Sequence, residues 1–537
     1  MSQLEHVTLT IDGQTVQAQK GTSILEAART VGISIPYYCY HPGLSAVGSC
    51  RMCLVEVEKY SKLQPSCATP VSEGMVVRTR TAEALRNRQM VLEFLLLNHP
   101  LDCPVCDQAG ECELQNYYMD HGAYDPRFNE NKTKRKKATP IGPYVMLDQE
   151  RCILCTRCVR FTQEISRTRE LGVMDRGHRS EIDIFPGMEL NNPYSGNVVD
   201  ICPVGALTDR DFRFQCRVWF LGRTPSICPG CSRGCNIEIH CNERFNPRYH
   251  DKRVHRLKPR YNKDVNWFWI CDEGRYAYHA IDTATRLKSP AQRRGESWQI
   301  VSWDDAIRKA AAALKETLEQ HGPDAVAVLA SPQMTNEELF GIRTLYRDCL
   351  KVGNIEFRVP RRGATSSDDF LITADKNPNS RGAEILGLAG KGTGAILQEC
   401  AAGRVRFLHI CHHDLGTGYD REVINDALGK VDYVVFQGSW DHATAQRAHV
   451  RLPAAVYAEK EGTFVNVGGR VQLIHAALPP LGGSLPDLEI VAALAGALGV
   501  KPVTASAPEV FREIAQRVQA FAGMTHETLG SSGQTLK

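Results

Sequence analysis

The sequence predicts a multi-domain protein, with small α+β units organised around metal ligands in its front half and a larger α/β domain behind them. Two observations carry this division. Seventeen of the twenty cysteines fall within residues 39–271, and only Cys349, Cys400 and Cys411 lie beyond. From about residue 280 onward, buried-strand patterns alternate with helical ones, as in a parallel sheet covered on both faces. A chain of 537 residues has room for roughly three to four domains.

Residues 1–78 read as one small α+β unit. The strand His6–Ile11 is followed by an Asp12-Gly13 turn, the commonest signature of a hairpin. A helix follows, with Ser23 as N-cap, Glu26 completing a capping box and Gly32 just past the end. A strand over Leu54–Glu58 comes after a cysteine pair. Residues 82–97 read as a helix that stops before His99-Pro100, since the residue preceding a proline leaves the helical region. The run Lys132–Lys137 (KTKRKK) reads as a solvated loop between domains, because no aromatic or groove-reading residue lies near it. The expected domains are residues 1–78, 79–140 (a helical segment and linker), 141–220, 221–277 and 278–537. Within the last, Ser302 caps a helix over Trp303–Gln320 with Gly322 beyond it. Asp324–Ala330, Val405–Cys411 and Val431–Gln437 are apolar strands, and Thr335 with Glu338 boxes another helix.

Composition excludes several classes. The formal charge of +3 gives no footprint for nucleic acid or a membrane surface. No run reaches the roughly 18 apolar residues that a membrane span needs. The longest, Ile490–Val500, is Ala/Gly-rich and reads as a soluble helix. The first residues already look like a strand, so no leader is expected and the setting reads as cytosolic. Cysteines in a reducing compartment are better read as metal ligands than as disulfides.

Four constellations follow. The first is Cys39, Cys50, Cys53 and Cys67, where a CxxC turn gives two thiolates from one loop and distant cysteines close the cage. A close pair with flanking singles in a small α+β unit suggests [2Fe–2S], with structural zinc as the alternative. The second, Cys103, Cys106 and Cys112, is one thiolate short of a cubane, and His99 could supply the fourth ligand. A neutral imidazole in place of a thiolate leaves a cluster less negative and, other things equal, raises its potential. The third is Cys152, Cys155, Cys158 and, in ICPVGAL, Cys202. A two-cluster ferredoxin run would have Cys-Pro at 162–163, but Thr162-Gln163 stands there, so one [4Fe–4S] site is expected. The fourth opens with Cys228, Cys231 and Cys235, and spacing leaves Cys216, Cys241 and Cys271 as rivals for its last ligand.

The remaining cysteines read as small buried apolar residues. Cys411-His412-His413-Asp414 follows a strand directly and is not read as a metal site. Gly390-Lys391-Gly392-Thr393-Gly394 lacks the GK[ST] of a phosphate loop and reads as a turn. No dinucleotide fingerprint, hydrolytic triad or paired-carboxylate signature is visible, so no catalytic residue is assigned.

With these four sets in this order, residues 1–275 resemble the large iron–sulfur subunit of respiratory complex I, known by the letter G in bacteria and as the 75-kDa subunit in mitochondria. The resemblance implies a ferredoxin-like (β-grasp) first domain with [2Fe–2S] at the Cys39 set and a His/Cys3 [4Fe–4S] site at the His99 set. It implies [4Fe–4S] at the Cys152 set, and an extra [4Fe–4S] found only in some bacterial members at the Cys228 set. The family's last ligand there precedes Gly-Arg, as Cys271 does in Cys271-Asp272-Glu273-Gly274-Arg275. The back half is similar to molybdopterin oxidoreductases. Ser302–Ala306 (SWDDA), Leu452–Ala455 (LPAA) and Glu459–Gln472 (EKEGTFVNVGGRVQ) carry that likeness. Only about 260 residues follow Cys271, too few for a bis-pterin cage, and Glu273 stands where molybdenum enzymes carry Lys or Arg. A shortened domain without molybdopterin is therefore expected.

The function implied is electron transfer within NADH–quinone oxidoreductase. Electrons would arrive from a flavin- and NADH-binding subunit and pass the Cys39, Cys152 and His99 sites, with the Cys228 site off the route. The implied partners are that subunit, a small [2Fe–2S] subunit and membrane-proximal [4Fe–4S] subunits, with no nucleic acid and no direct membrane span. The implied place is the cytoplasmic side of a bacterial inner membrane, and the chain alone would not oxidise NADH. The rivals are a molybdenum-dependent formate dehydrogenase, a hydrogenase-associated carrier, and a scaffold whose clusters are merely structural.

Overall fold

The computed structural model describes residues 5–242, 252–363 and 365–537. The chain divides into two compact units, Met1–Leu221 and Gly222–Lys537.

The first unit opens with a five-stranded sheet in the order Gln14–Gln19, His6–Ile11, Val76–Arg78, Leu54–Val57, Gln64–Pro65. Asp12 and Gly13 both have positive φ (48° and 83°), so the turn follows the right-handed twist of its two strands. Alternate residues Val7, Leu9 and Ile11 face a core that includes Ile24, Leu25, Ala27 and Ala28 of the helix Ile24–Thr30. That helix ends in a Schellman motif: Gly32 N–H bonds Arg29 O and Ile33 N–H bonds Ala28 O. The expected capping box is half made. Ser23 Oγ accepts from Glu26 N at 3.2 Å, but the Glu26 carboxylate turns away to Arg29 and Tyr40.

Two helices, Ala82–Leu96 and Glu113–His121, pack on one another. A three-stranded sheet follows, ordered Leu207–Asp209, Val145–Leu147, Thr139–Pro140, beside the hairpin Leu171–Met174/Glu181–Ile184. The basic run is the mostly exposed loop expected of it, but two of its lysines also anchor it. Lys132 Nζ donates to the carbonyls of Leu96 and Leu97, capping the first helix, and Lys137 reaches Asp102 and Glu150. Cations satisfy the orphan carbonyls and negative dipole of a helix end.

The second unit is built on a seven-stranded sheet. Its order is Ser297–Ile300, Ala291–Arg294, Val450–Pro453, Tyr433–Gly438, Phe407–Cys411, Val326–Leu329, Asn354–Glu356. The last five strands run parallel, and both their faces are covered. Val326 and Val328 lie in one apolar cluster, and Ala327 and Leu329 in the other. The strand begins at Val326 rather than Asp324 because Pro323 opens a 3-10 turn over Pro323–Ala325. The helix Trp303–His321 starts at Ser302, whose Oγ accepts from Asp305 N, and ends before Gly322 at φ 75°. Thr335 and Glu338 form the reciprocal box. Two further three-stranded sheets are present, Leu221–Ile227 with Asn236–Asn242 and Val254–Pro259, and Gly462–Val465 with Arg470–Ile474 and Gln534–Thr535. Among the described residues, no helix is long and apolar enough to cross a membrane.

Candidate metal centres

Cys39, Cys53 and Cys67 are buried, and Cys50 is half-buried. Cys53 and Cys67 belong to the core of the first sheet, so their thiols are fixed by the same packing that holds the strands. The loop between Cys50 and Cys53 turns through Arg51, at φ 60°, an uncommon conformation for a side chain this large. The four thiols lie close enough to shift one another's ionisation. Bonds from Cys50 and Cys67 hold Cys39 far below the usual thiol range, while those same contacts and burial push Cys50 and Cys67 up. Such a cage holds its thiols close but ionises them together only when a cation is supplied.

Cys152, Cys155, Cys158 and Cys202 line one pocket, with Leu147, Ile182, Val204 and Leu207 as its dry wall. Leu154 and Thr156, between the cysteines, take φ of 53° and 60° and bend the loop around the space. Leu154 N–H donates to Cys152 Sγ at 3.4 Å, and the backbone of Val204, Leu207 and Ala206 donates to Cys202. Burial pushes Cys152 up to about 12 and Cys155 to about 11, so all four thiols are poor anions until metal binds.

The His99 set lies on the loop between the two packed helices, with Cys103 exposed, Cys106 buried and Cys112 at the N-cap of Glu113–His121. Burial, with Arg151 and Lys132 nearby, pushes His99 down to about 4, which leaves it as the neutral imidazole that can ligate metal. Arg151 is buried beside both His99 and Cys106, and its guanidinium holds Asp102 at 2.8 Å. This set adjoins the Cys152 set directly. Glu113 N–H donates to Pro203 O at 3.1 Å, Arg157 NH2 lies 3.5 Å from the Glu113 carboxylate, and the Cys106 sulfur packs against Gly205.

In the second unit, Cys228, Cys231, Cys235 and Cys271 line one pocket with Gly230, Glu273, Gly274, Ile372 and Lys376. Neither rival joins them there. Cys216 packs with Phe212 and Val218 in the first unit, and Cys241 is buried in the strand Asn236–Asn242. Gly274 has no room for a side chain: a Cβ there would stand 2.9 Å from Cys228 Sγ. A cation missing from position 273 arrives from elsewhere. Lys376, nearly buried, bonds Glu273 at 2.8 Å beside the four cysteines.

The carboxyl ends of the parallel strands open on a cleft of about 500 Å³ lined by Phe357, Arg358, His412, His413, Asp414 and Trp440, among others. Ligands in open α/β sheets bind at this edge. Its histidines and Arg358 are already partnered. His412 bonds Asp487, His413 bonds the carbonyls of Ala330 and Phe357, and Arg358 bonds Glu356. These donors do not fit a large anionic pterin. The Gly390–Gly394 loop is an anion cradle filled from within: Gly390 and Gly392 N–H donate to the Glu356 carboxylate.

Sequence reasoning missed Arg151, Arg160, Gly205 and Lys376. Each acts on a cysteine set far away along the chain, and no spacing rule reports that. The glycine after Cys202-Pro203-Val204 was the one visible hint.

Similarities to known proteins fall in the segments that carry these cysteine sets. Residues 5–82 match a family described as a 2Fe-2S iron–sulfur cluster binding domain. Residues 88–127 match the NADH-ubiquinone oxidoreductase-G iron–sulfur binding region, and 142–208 the ferredoxin-like domain of NADH-quinone oxidoreductase subunit 3. Residues 286–377 and 390–497 match the molybdopterin oxidoreductase family. The NADH-quinone oxidoreductase G subunit of Rickettsia conorii is 30% identical, aligning over 96% of this chain and 91% of its own length. The mitochondrial NADH-ubiquinone oxidoreductase 78 kDa subunit of Candida albicans is 33% identical over 93% of this chain and 83% of its own. Among solved structures, a chain of an NAD+-reducing [NiFe]-hydrogenase in the H2-reduced state covers 40% of this chain and 91% of its own, at 31% identity and TM-score 0.35.

Proposed function

The chain belongs to the G-subunit family of NADH-quinone oxidoreductase, and on that premise we propose that it carries electrons from a flavin- and NADH-binding subunit toward quinone. Its further partners are a small [2Fe–2S] subunit and membrane-proximal [4Fe–4S] subunits, on the cytoplasmic side of a bacterial inner membrane. The proposed ligands are Cys39, Cys50, Cys53 and Cys67 for [2Fe–2S]. Three [4Fe–4S] sites follow: His99, Cys103, Cys106 and Cys112; Cys152, Cys155, Cys158 and Cys202; and Cys228, Cys231, Cys235 and Cys271. Bound clusters supply one-electron redox chemistry that no side chain here provides.

The observation that carries this reading is the packing of three sets within one unit, in which the Cys152 set touches both of the others. It meets the His99 set through Glu113–Pro203 and Gly205–Cys106, and the Cys39 set through Arg160, which bonds the carbonyls of Cys39 and Cys155. That order supports a path Cys39, Cys152, His99. The Cys228 set lies in the other unit, and its place off that path is what the family resemblance implies. The chain's own work is to hold thiolates in dry pockets, keep the His99 imidazole neutral and set local charge.

The mixed sheet with its single helix supports a ferredoxin-like (β-grasp) first domain, followed by iron–sulfur domains over residues 79–140, 141–220 and 221–277. Residues 278–537 are read as a shortened molybdopterin-oxidoreductase-like domain that holds no molybdopterin. The chain has no complete active site and does not oxidise NADH unaided. Anaerobic iron and acid-labile sulfide analysis of the full chain tests the assignment: one [2Fe–2S] and three [4Fe–4S] sites require about fourteen irons. About ten would remove the Cys228 site, and stoichiometric molybdenum would overturn the reading of the back domain.

A further inference from the structure

Arg160 ends the short helix Arg157–Arg160, two residues after Cys158, and its side chain is 5% exposed. One terminal nitrogen donates to the carbonyls of Cys39 and, at 3.3 Å, Cys155; the other donates to the carbonyl of Ser45. Its Nε is buried with no acceptor among protein atoms. Among the described residues, no carboxylate stands within ion-pair distance. Glu164, the nearest acidic influence, directs its oxygens to Ser45 N and Oγ instead.

A buried cation normally has an anionic partner, because taking it out of water unpaired is expensive. Two neighbouring arginines obey that rule: Arg151 faces Asp102 and Asp148, and Arg157 faces Glu113. What Arg160 does hold are the backbone carbonyls of Cys39 and Cys155, one ligand residue from each of two sets, which places its charge beside both. From this placement we infer that Arg160 is the shared counter-charge of the Cys39 and Cys155 iron–sulfur sites, fixing their two ligand loops to one another and raising the reduction potential of both. Reduction adds one negative charge to a cluster, and a fixed positive charge nearby favours the reduced form. The inference rests on the cluster assignment above, and it adds a positioning and tuning residue that belongs to no ligand set.

The test is a redox titration followed by electron paramagnetic resonance on the full chain, comparing wild type with Arg160→Gln and Arg160→Lys. A unit charge at close range in a partly buried site changes a one-electron equilibrium roughly tenfold, which is about 59 mV. Arg160→Gln should lower the midpoint potentials of the Cys39-site and Cys152-site signals by about that amount. The Cys228-site signal should not move, and Arg160→Lys, which keeps the charge, should restore most of the loss. Signals present with unmoved potentials in Arg160→Gln would overturn the inference while leaving the cluster assignment intact. So would a shift in Arg160→Lys equal to that of the glutamine variant. Should Arg160→Gln lose its clusters, the lysine variant decides: retained potentials support the shared counter-charge, and a tenfold loss of reducibility refutes it. Absence of the two signals from wild type would instead strike the assignment on which the inference rests.

Discussion

Gly205 offers the sharpest test of how two ligand sets share one wall. Its φ is not in the left-handed region, so alanine meets no backbone strain there, and any effect must come from the added carbon. A Cβ at 205 would stand well under 3.0 Å from Cys106 Sγ and 3.2 Å from Gln108 Cβ, where ordinary contact begins at 3.4 Å. The sulfur cannot retreat without leaving Cys103 and Cys112, and Gly205 cannot retreat without pulling on Cys202, three residues earlier in the same turn. Overpacking of a tight interior by one methyl typically destabilises by about 1–3 kcal/mol. Here the strain should fall first on the half-exposed His99 loop rather than on the buried Cys152 pocket. Gly205→Ala should therefore lose up to four of about fourteen irons. The His99-site resonance should weaken or vanish while the Cys39-site resonance persists. Iron analysis and electron paramagnetic resonance on the same preparation measure both. An alanine variant with full iron, an unaltered His99-site signal and an unchanged melting temperature would refute the shared-wall argument.

Two further outcomes follow from single residues. His99→Cys should keep a four-iron site but add one negative charge, so its midpoint potential should fall, and His99→Ala should leave that site labile; an unaltered signal in both variants would place the fourth ligand elsewhere. At Glu356, burial raises the carboxyl pKa, but bonds from Arg358 and the backbone outweigh it and hold the group down at about 2, against 4.5 ordinarily. Its stabilising contribution should then be fully present above about pH 4.5 and fade as pH falls through about 2. The stability gap between wild type and Glu356→Gln, measured by urea unfolding, should narrow between pH 6 and pH 3, and a gap that widens would contradict the sign.

What the sequence made legible was local. The Asp12-Gly13 hairpin, the Ser302 cap, the Thr335–Glu338 box and the CxxC turns are decided by residues a few positions apart, and the structure holds them where expected. Alternating strands announced the parallel sheet because each is buried on both faces and reads as an unbroken apolar run. The unforeseen features depend on distant pairings. Arg160 meets Cys39 across 121 positions, and Lys376 meets Glu273 across 103. The anchoring of the Lys132–Lys137 run was not legible because its acidic partners, from Asp102 to Glu150, are scattered along the chain. Cys271 could not be separated from Cys216 and Cys241 by spacing, because only folding decides which sulfur faces the pocket. Glu273 looked like a lost cation until the fold brought Lys376 beside it.

The two units keep their buried charges in different ways, and the contrast bears on what each is for. In the second unit the buried ions balance within the protein. Lys460 lies between Glu338 and Asp487, at 2.8 Å from each, and Arg286 and Arg253 share Glu459. Removing one member of such a buried group typically destabilises by about 3–5 kcal/mol, because it leaves an uncompensated charge in the interior. Among the described residues, the first unit leaves Arg160 without a carboxylate ion pair, and in its Cys152 set burial behind an apolar wall keeps the thiols from ionising alone. Its electrostatics are complete only when metal brings positive charge to the thiols and the clusters, once formed, bring net negative charge to the arginine. The front unit is thus built around its cysteine sets, while the parallel-sheet part of the second unit balances its buried ions among its own side chains.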